Sequence, residues 1–274
     1  MYLRLLSLFP GLTWLLLGLP VLGGLLGVGL PAFGYFPELG ENQFHLGHFR
    51  SLFAHPAVPW AVGLTLWTGL VSTAISLALA LLLVVAGHQT HWFRKLEHTF
   101  VPLLAVPHAA VALGLAFLIA PSGWLVRLLS PGLTGWHLPP EFVTVQDPWG
   151  LALILGLVLK ETPYLLLMTL AALPQVRAAA LVQSGQALGY TAVSAWLRLV
   201  LPQLYPLLRL PVFAVLAFSL SVVDVSLILG PSTPPPLAVL ILRWAVDPDL
   251  QLRFLAAVGA VLLLCLTLAA LAGA

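Results

Sequence analysis

Three charged side chains stand inside otherwise apolar sequence. Lys160 and Glu161 lie within LALILGLVLKETPYLLLMTL, and Asp224 lies within LAFSLSVVDVSLILG. An ionised group in hydrocarbon is costly and faces a bundle interior or a wet cavity, where it marks a solute path or a buried polar network. Lys160 and Glu161 are sequence neighbours, so a helix points them about 100° apart and they do not pair with each other. One expectation is that Lys160 or Arg243 pairs with Asp224 and lines a translocation path. The alternative is a purely structural buried network, or exposure of Asp224 at the interface.

The other chemistry-bearing residues are eight histidines. His45, His48 and His55 share one connection, and His88, His91 and His98 share another. His88-x-x-His91 can meet on one helix face. Beyond Glu97 no acid or cysteine stands at ligand spacing, so the histidines read as interfacial polar side chains and no metal is expected. No Gly-x-Ser-x-Gly nucleophile turn occurs, and Pro121-Ser122-Gly123 reads as the end of a span. A phosphate loop needs Gly-x-x-x-x-Gly-Lys-Ser/Thr. The only lysines, Lys95 and Lys160, follow Arg94 and Leu159. The chain therefore carries no phosphate loop, and neither a catalytic set nor a cofactor is expected in it.

The elements that must hold these residues are set by composition. Of 274 residues, 61% are hydrophobic and 7% charged, too few charges to cover a soluble domain. In a bilayer the backbone must satisfy itself within helices or a closed barrel. Long unbroken apolar runs, without period-two alternation, select an all-α bundle. A span needs about 20 apolar residues, and six runs qualify: 7–33, 58–86, 99–120, 149–172, 206–230 and 252–273. The first is too long for a cleaved leader and reads as a retained span. Its Gly23 and Gly27 are spaced for close helix contact. Pro102, Pro107 and Pro163 fall inside spans, where a missing N–H loosens the helix and allows a bend. The single cysteine, Cys265, lies in an apolar run and forms no intrachain disulfide.

The connections alternate in charge. Loops 34–57, 121–148 and 231–251 hold Glu38, Glu41, Glu141, Asp147, Asp247 and Asp249, and their side of the chain carries Arg50, Arg127, Arg243 and Arg253. The other side carries Arg4, Arg94, Lys95, Arg177, Arg198 and Arg209 with one acid, Glu97. The positive-inside rule places the second group, both termini and loops 87–98 and 173–205 in the cytoplasm. No basic block suits nucleic acid.

Loop 173–205 is longer than a connector needs. Gly189 can take positive φ and divide it into two helices. Past the glycine, Val193, Trp196, Leu197, Val200, Leu201 and Leu204 fall on one helical face, with Thr191, Ser194 and Arg198 opposite. The apolar face is expected to pack on the bundle, and Pro202 to bend the helix as it enters the fifth span. Three readings fit the pattern: a helix lying on the membrane surface, a plain connector, or a docking helix for a cytoplasmic partner.

The loop resembles that of the membrane subunits of binding-protein-dependent ABC importers. That family carries Glu-Ala-Ala, three residues, Gly, nine residues, then Ile-x-Leu-Pro. This chain has Gln183-Ser184-Gly185, three residues, Gly189, nine residues, then Leu199-Val200-Leu201-Pro202. It looks most similar to the type I branch that handles iron, thiamine and polyamines. The resemblance implies a single six-span permease domain over 1–274 in a bacterial inner membrane. It implies a coupling role for the seven residues Gln183, Ser184, Gly185, Gly189, Leu199, Leu201 and Pro202. It also implies partners: ABC ATPase subunits that bind ATP, a second permease half, and an extracytoplasmic solute-binding protein. The chain departs from the family at its triplet, where the carboxylate has become Gln183. An ATP-independent secondary transporter or channel is the alternative, and it would favour inverted symmetry and interrupted half-helices.

Overall fold

The computed structural model describes residues 9–87 and 102–273. Arg4, Arg94, Lys95, Glu97, His88, His91 and His98, on which part of the charge asymmetry and one histidine cluster rest, lie outside the described residues.

Six segments among the described residues are long and apolar enough to cross a membrane. The first is α1 (Phe9–Ala32). A two-residue hairpin follows, β1 (Tyr35–Phe36) against β2 (Glu41–Asn42), with Tyr35 opposite Asn42 and Phe36 opposite Glu41. Then come the short α2 (Gly47–Ala54) and the second span, α3 (Val58–Gly87). The third crossing consists of α4 (His108–Ile119) and α5 (Trp124–Leu129). The fourth is α6 (Leu151–Val176). Past α7 (Ala178–Ala187), the fifth runs from α8 (Ala192–Ala195) through α9 (Leu201–Ser221). The short α10 (Asp224–Leu229) and α11 (Leu237–Ala245) lead to the sixth, α12 (Leu252–Gly273).

Four of the expected spans keep their limits to within a few residues. Two do not. The expected 99–120 is broken: residues 102–105 are helical, the chain leaves helix at Val106–Pro107, and α4 starts at His108. The expected 206–230 is displaced toward the N-terminus. The helical path already begins at Ala192, and it ends at Ser221 because Val222 is extended (φ −65°, ψ 131°). Asp224 therefore opens a separate short helix instead of sitting within the span.

The centre of the bundle is α6, whose membrane stretch is mostly buried, packed on α3 and α9. On α3 the buried face is built from small and hydroxylic residues, including Ala61, Thr65, Thr68, Ser72, Ser76 and Ala80. Small side chains let helix backbones approach closely in lipid. Their hydroxyls are largely satisfied locally: Thr68 donates to Leu64 O (2.8 Å) and Thr73 to Gly69 O (2.8 Å). Thr65 instead accepts from the Leu237 N–H (2.8 Å), at the start of α11. A Cβ on Gly69 would lie 2.5 Å from Leu220 Cδ2, so that glycine sets how near α9 comes to α3. By contrast α1 buries only Pro31 and Ala32, and nothing lies within 4 Å of a Cβ built on Gly23 or Gly27. Among the described residues, no helix packs closely at those two glycines.

Asp147 organises the start of α6. Its carboxylate accepts from the Leu151 N–H (2.8 Å) and the Ala152 N–H (2.9 Å), two donors that the first turn of a helix leaves free.

Candidate functional site

Loop 177–202 is ordered as two helices folded back on the ends of the spans. The fourth span stops where Arg177 adopts the left-handed conformation (φ 49°, ψ 46°). That conformation is uncommon for a residue with a Cβ. It turns the chain directly into α7. At the far end of α7, Gly189 has φ +89°. Its N–H donates to Gln186 O (2.9 Å), and the Tyr190 N–H donates to Gly185 O (3.0 Å). This pair of bonds is the Schellman closure, which satisfies the last carbonyls of a helix with backbone alone. The division expected at Gly189 is thus present. Thr191 Oγ1 then accepts from the Ser194 N–H (3.2 Å) and caps the next helix.

Between α8 and α9, residues Trp196–Val200 form a π-turn, in which the Leu201 N–H reaches back to Trp196 O. Pro202 accounts for it. Its ring lacks an N–H and crowds the carbonyl four residues earlier, so the ladder widens by one residue ahead of it. The π-turn also corrects the expected packing face. Trp196, Val200 and Leu204 are buried against Val84, Leu173 and Val176, and Leu201 is half-buried. Val193 and Leu197, expected on the same face, are each 58% exposed. A period of 3.6 does not hold across the wider turn, so these two side chains rotate outward. Leu188, 78% exposed, joins them on the outer side. The outward surface is therefore apolar at its prominent points, with Gln183, Ser184 and Pro202 exposed around it. Arg198 lies over the Tyr190 ring (5.6 Å).

The glycine of the altered triplet has a steric reason. Gly185 is buried, and a Cβ there would lie 2.8 Å from Ala195 Cβ and 2.8 Å from Leu199 Cδ1. Glycine lets α7 and α8 touch at this crossing. Leu199, half-buried, fills the space opposite.

The intramembrane charges have different partners from those expected. Lys160 Nζ donates to three main-chain carbonyls, Leu103 O (2.9 Å), Leu104 O (3.0 Å) and Val106 O (2.6 Å). In a continuous helix the Leu103 carbonyl would accept from residue 107, which is proline and has no N–H. The break at Pro107 strands these acceptors at membrane depth, and an ammonium group with three donors satisfies them. Glu161 accepts from or shares a proton with His108, at 3.1 Å between Oε1 and Nε2. His108 is the first residue of α4, so the carboxylate sits beside a helix N-terminus, where negative charge is favoured. The His108 ring lies 4.5 Å from that of Phe218. A cleft of about 310 Å³ opens here, lined by Leu104, His108, Lys160, Glu161, Tyr164 and Phe218 among others.

The pair expected between Asp224 and either Lys160 or Arg243 is not formed. Lys160 serves the carbonyls, Arg243 donates to Ser232 O (2.8 Å), and Asp224 is exposed. Sequence reasoning passed over His108. A titratable residue directly after an in-span proline was the available signal.

On the face opposite the loop, Glu41, His45 and His48 come together, whereas His55 packs on Trp244. Burial lowers the His48 imidazole below the usual histidine range; His45 adds to this and Glu41 opposes it.

No protein-family model matches the sequence. Over 221 residues, 81% of the chain, it is 33% identical to the inner membrane ABC transporter permease protein YnjC of Escherichia coli (strain K12). The chain spans about two fifths of that relative's length, 41%. The structure matches a chain of a bacterial ABC transporter involved in the import of the acidic polysaccharide alginate. The TM-score is 0.73 at 21% identity, over 98% of this chain and 93% of that one. It matches equally (TM-score 0.73, 21% identity, 98% and 92% covered) a chain of the alginate transporter in complex with its alginate pentasaccharide-bound periplasmic protein. The chain thus has the all-α membrane fold of an ABC importer permease.

Proposed function

We propose that this chain is a permease subunit of an ABC importer, forming half of a solute path and driven by separate ATPase subunits through residues 177–202. The observation that carries the reading is the ordered α7–α8 unit. Its inner side is buried on the span ends while Leu188, Val193 and Leu197 project outward. Exposed apolar side chains on a rigid, polar-rimmed element suit a protein partner. Buried Trp196, Val200 and Leu204 tie the same element to α3 and α6, so a push on the outer side moves the spans.

In this reading ATP is bound by the partner subunits, and the chain itself is not an enzyme. The loop and both termini face the cytoplasm of a bacterial inner membrane. A solute-binding protein docks on the opposite face, and a second permease half completes the path. Glu161 and Asp224 are the charges we assign to the path side, while Lys160 holds the broken third span together. The likeness of its loop spacing, span order and span length supports a place in the type I branch that handles iron, thiamine, polyamines and similar solutes.

The test is transport in liposomes. The full chain, assembled with its second permease half, ATPase and binding protein, should move solute only with ATP, and removal of 183–200 should abolish transport. Transport indifferent to ATP and to that deletion contradicts the proposal and favours a secondary transporter.

A further inference from the structure

We propose that Glu41, His45 and His48 bind one divalent transition cation, of the zinc class, on the face opposite the coupling loop. One ligand atom from each residue lies within 4.8 Å of the other two. Glu41 Oε2 and His45 Nε2 are 3.2 Å apart. An ion held at about 2.0–2.1 Å in tetrahedral geometry keeps its ligands roughly 3.3 Å apart, so this pair already forms one edge of the site. His48 supplies the third donor. Its Nε2 is buried and has no hydrogen-bond partner among the described residues. A buried ring nitrogen left unpartnered is a group whose requirement a metal ion can meet. Two neutral imidazoles and one carboxylate suit Zn²⁺, Co²⁺ or Ni²⁺ better than Mg²⁺ or Ca²⁺, and the fourth position is left to water.

The scaffold gathers the three donors on one face. The hairpin sets Glu41 opposite Phe36. Gly34, at φ +85°, gives His45 room, because a Cβ there would lie 2.8 Å from the imidazole ring. The His48 ring is stacked on Phe254 at the start of α12 (4.3 Å, 8°) and lies 4.8 Å from the His45 ring. The Gly47 N–H donates to His45 Nδ1 (3.1 Å), which leaves the ring proton on Nε2, toward Glu41. A cation taking Nε2 moves that proton to Nδ1, so the Gly47 contact opens as the ion enters. The bound ion then links the hairpin and α2, and through His48 it borders the sixth span. His55 plays no part: its Nδ1 accepts from the Ala57 N–H (3.3 Å).

The test is calorimetric titration of Zn²⁺, with Co²⁺ absorption as a second readout. It uses the full chain in detergent, free of any polyhistidine tag. The expected result is saturable binding of one equivalent, with tetrahedral Co²⁺ bands. Glu41→Gln and His48→Ala should each weaken binding roughly tenfold or more, and His55→Ala should leave it unchanged. Elution of each variant as a single species shows that it has folded. Glu41→Gln keeps a hydrogen bond to His45, so it separates lost ligation from a lost hairpin. Absence of saturable binding, or binding that persists in His45→Ala/His48→Ala, overturns the proposal.

Discussion

The chain leaves helix at Gly189 and again at Val106–Pro107, and it closes the two breaks by opposite means. At Gly189 the backbone suffices: two main-chain N–H groups return to Gly185 and Gln186, and glycine supplies the positive φ. At Pro107 the proline removes a donor, and the stranded carbonyls of Leu103, Leu104 and Val106 are satisfied by a charge borrowed from another helix, Lys160. The difference follows from the medium. Beyond the span ends, water meets any acceptor left over, so a local closure is enough. At membrane depth nothing else donates, and the bundle must bring a donor to the break. Of the two readings open to Lys160 in the sequence, the structural network is the one that forms, while the polar loop presents exposed apolar side chains at Leu188, Val193 and Leu197.

Substitutions that separate the two breaks should differ in size. Lys160→Met leaves three carbonyls in apolar surroundings without their donor and is expected to be the most damaging. Its cost is about 3 kcal/mol or more, visible as a collapse of thermal stability in detergent. A variant as stable as the parent would remove the capping role. Gly185→Ala sets a new methyl against Ala195 and Leu199, at about 2 kcal/mol. It should loosen the α7–α8 contact, measured as faster amide exchange over 178–200 with the spans unaffected. Gly189→Ala forces a side chain into left-handed backbone, at about 1 kcal/mol, and should fray only the end of α7. If its effect matched that of Lys160→Met, the contrast between the two breaks would fail.

Much of this architecture was legible in advance. Four spans appear at their expected limits because an apolar run of the right length has few alternatives in lipid. Hydropathy could not register the break at Pro107, since an apolar segment inside a bundle reads the same whether helical or not. The partners of Lys160 were invisible for a related reason: they are carbonyls, and every residue has one. Gly189 was readable because positive φ selects glycine. The outward rotation of Val193 and Leu197 was not, because it depends on a π-turn that breaks the 3.6 period. The expectation that no acid beyond Glu97 stands at ligand spacing missed Glu41, four residues before His45, which becomes a neighbour of His48 only once the hairpin and α2 have formed.

The most direct test of the coupling role is position-specific cross-linking. A photo-reactive residue at Leu197, on the outer side of the loop, is compared with one at Leu210, which is 77% exposed within the fifth span. Leu197 should capture the ATPase subunit in the assembled transporter and Leu210 should not. Capture from both positions alike, or from Leu210 alone, would contradict the assignment of 177–202 as the surface through which ATP drives this permease.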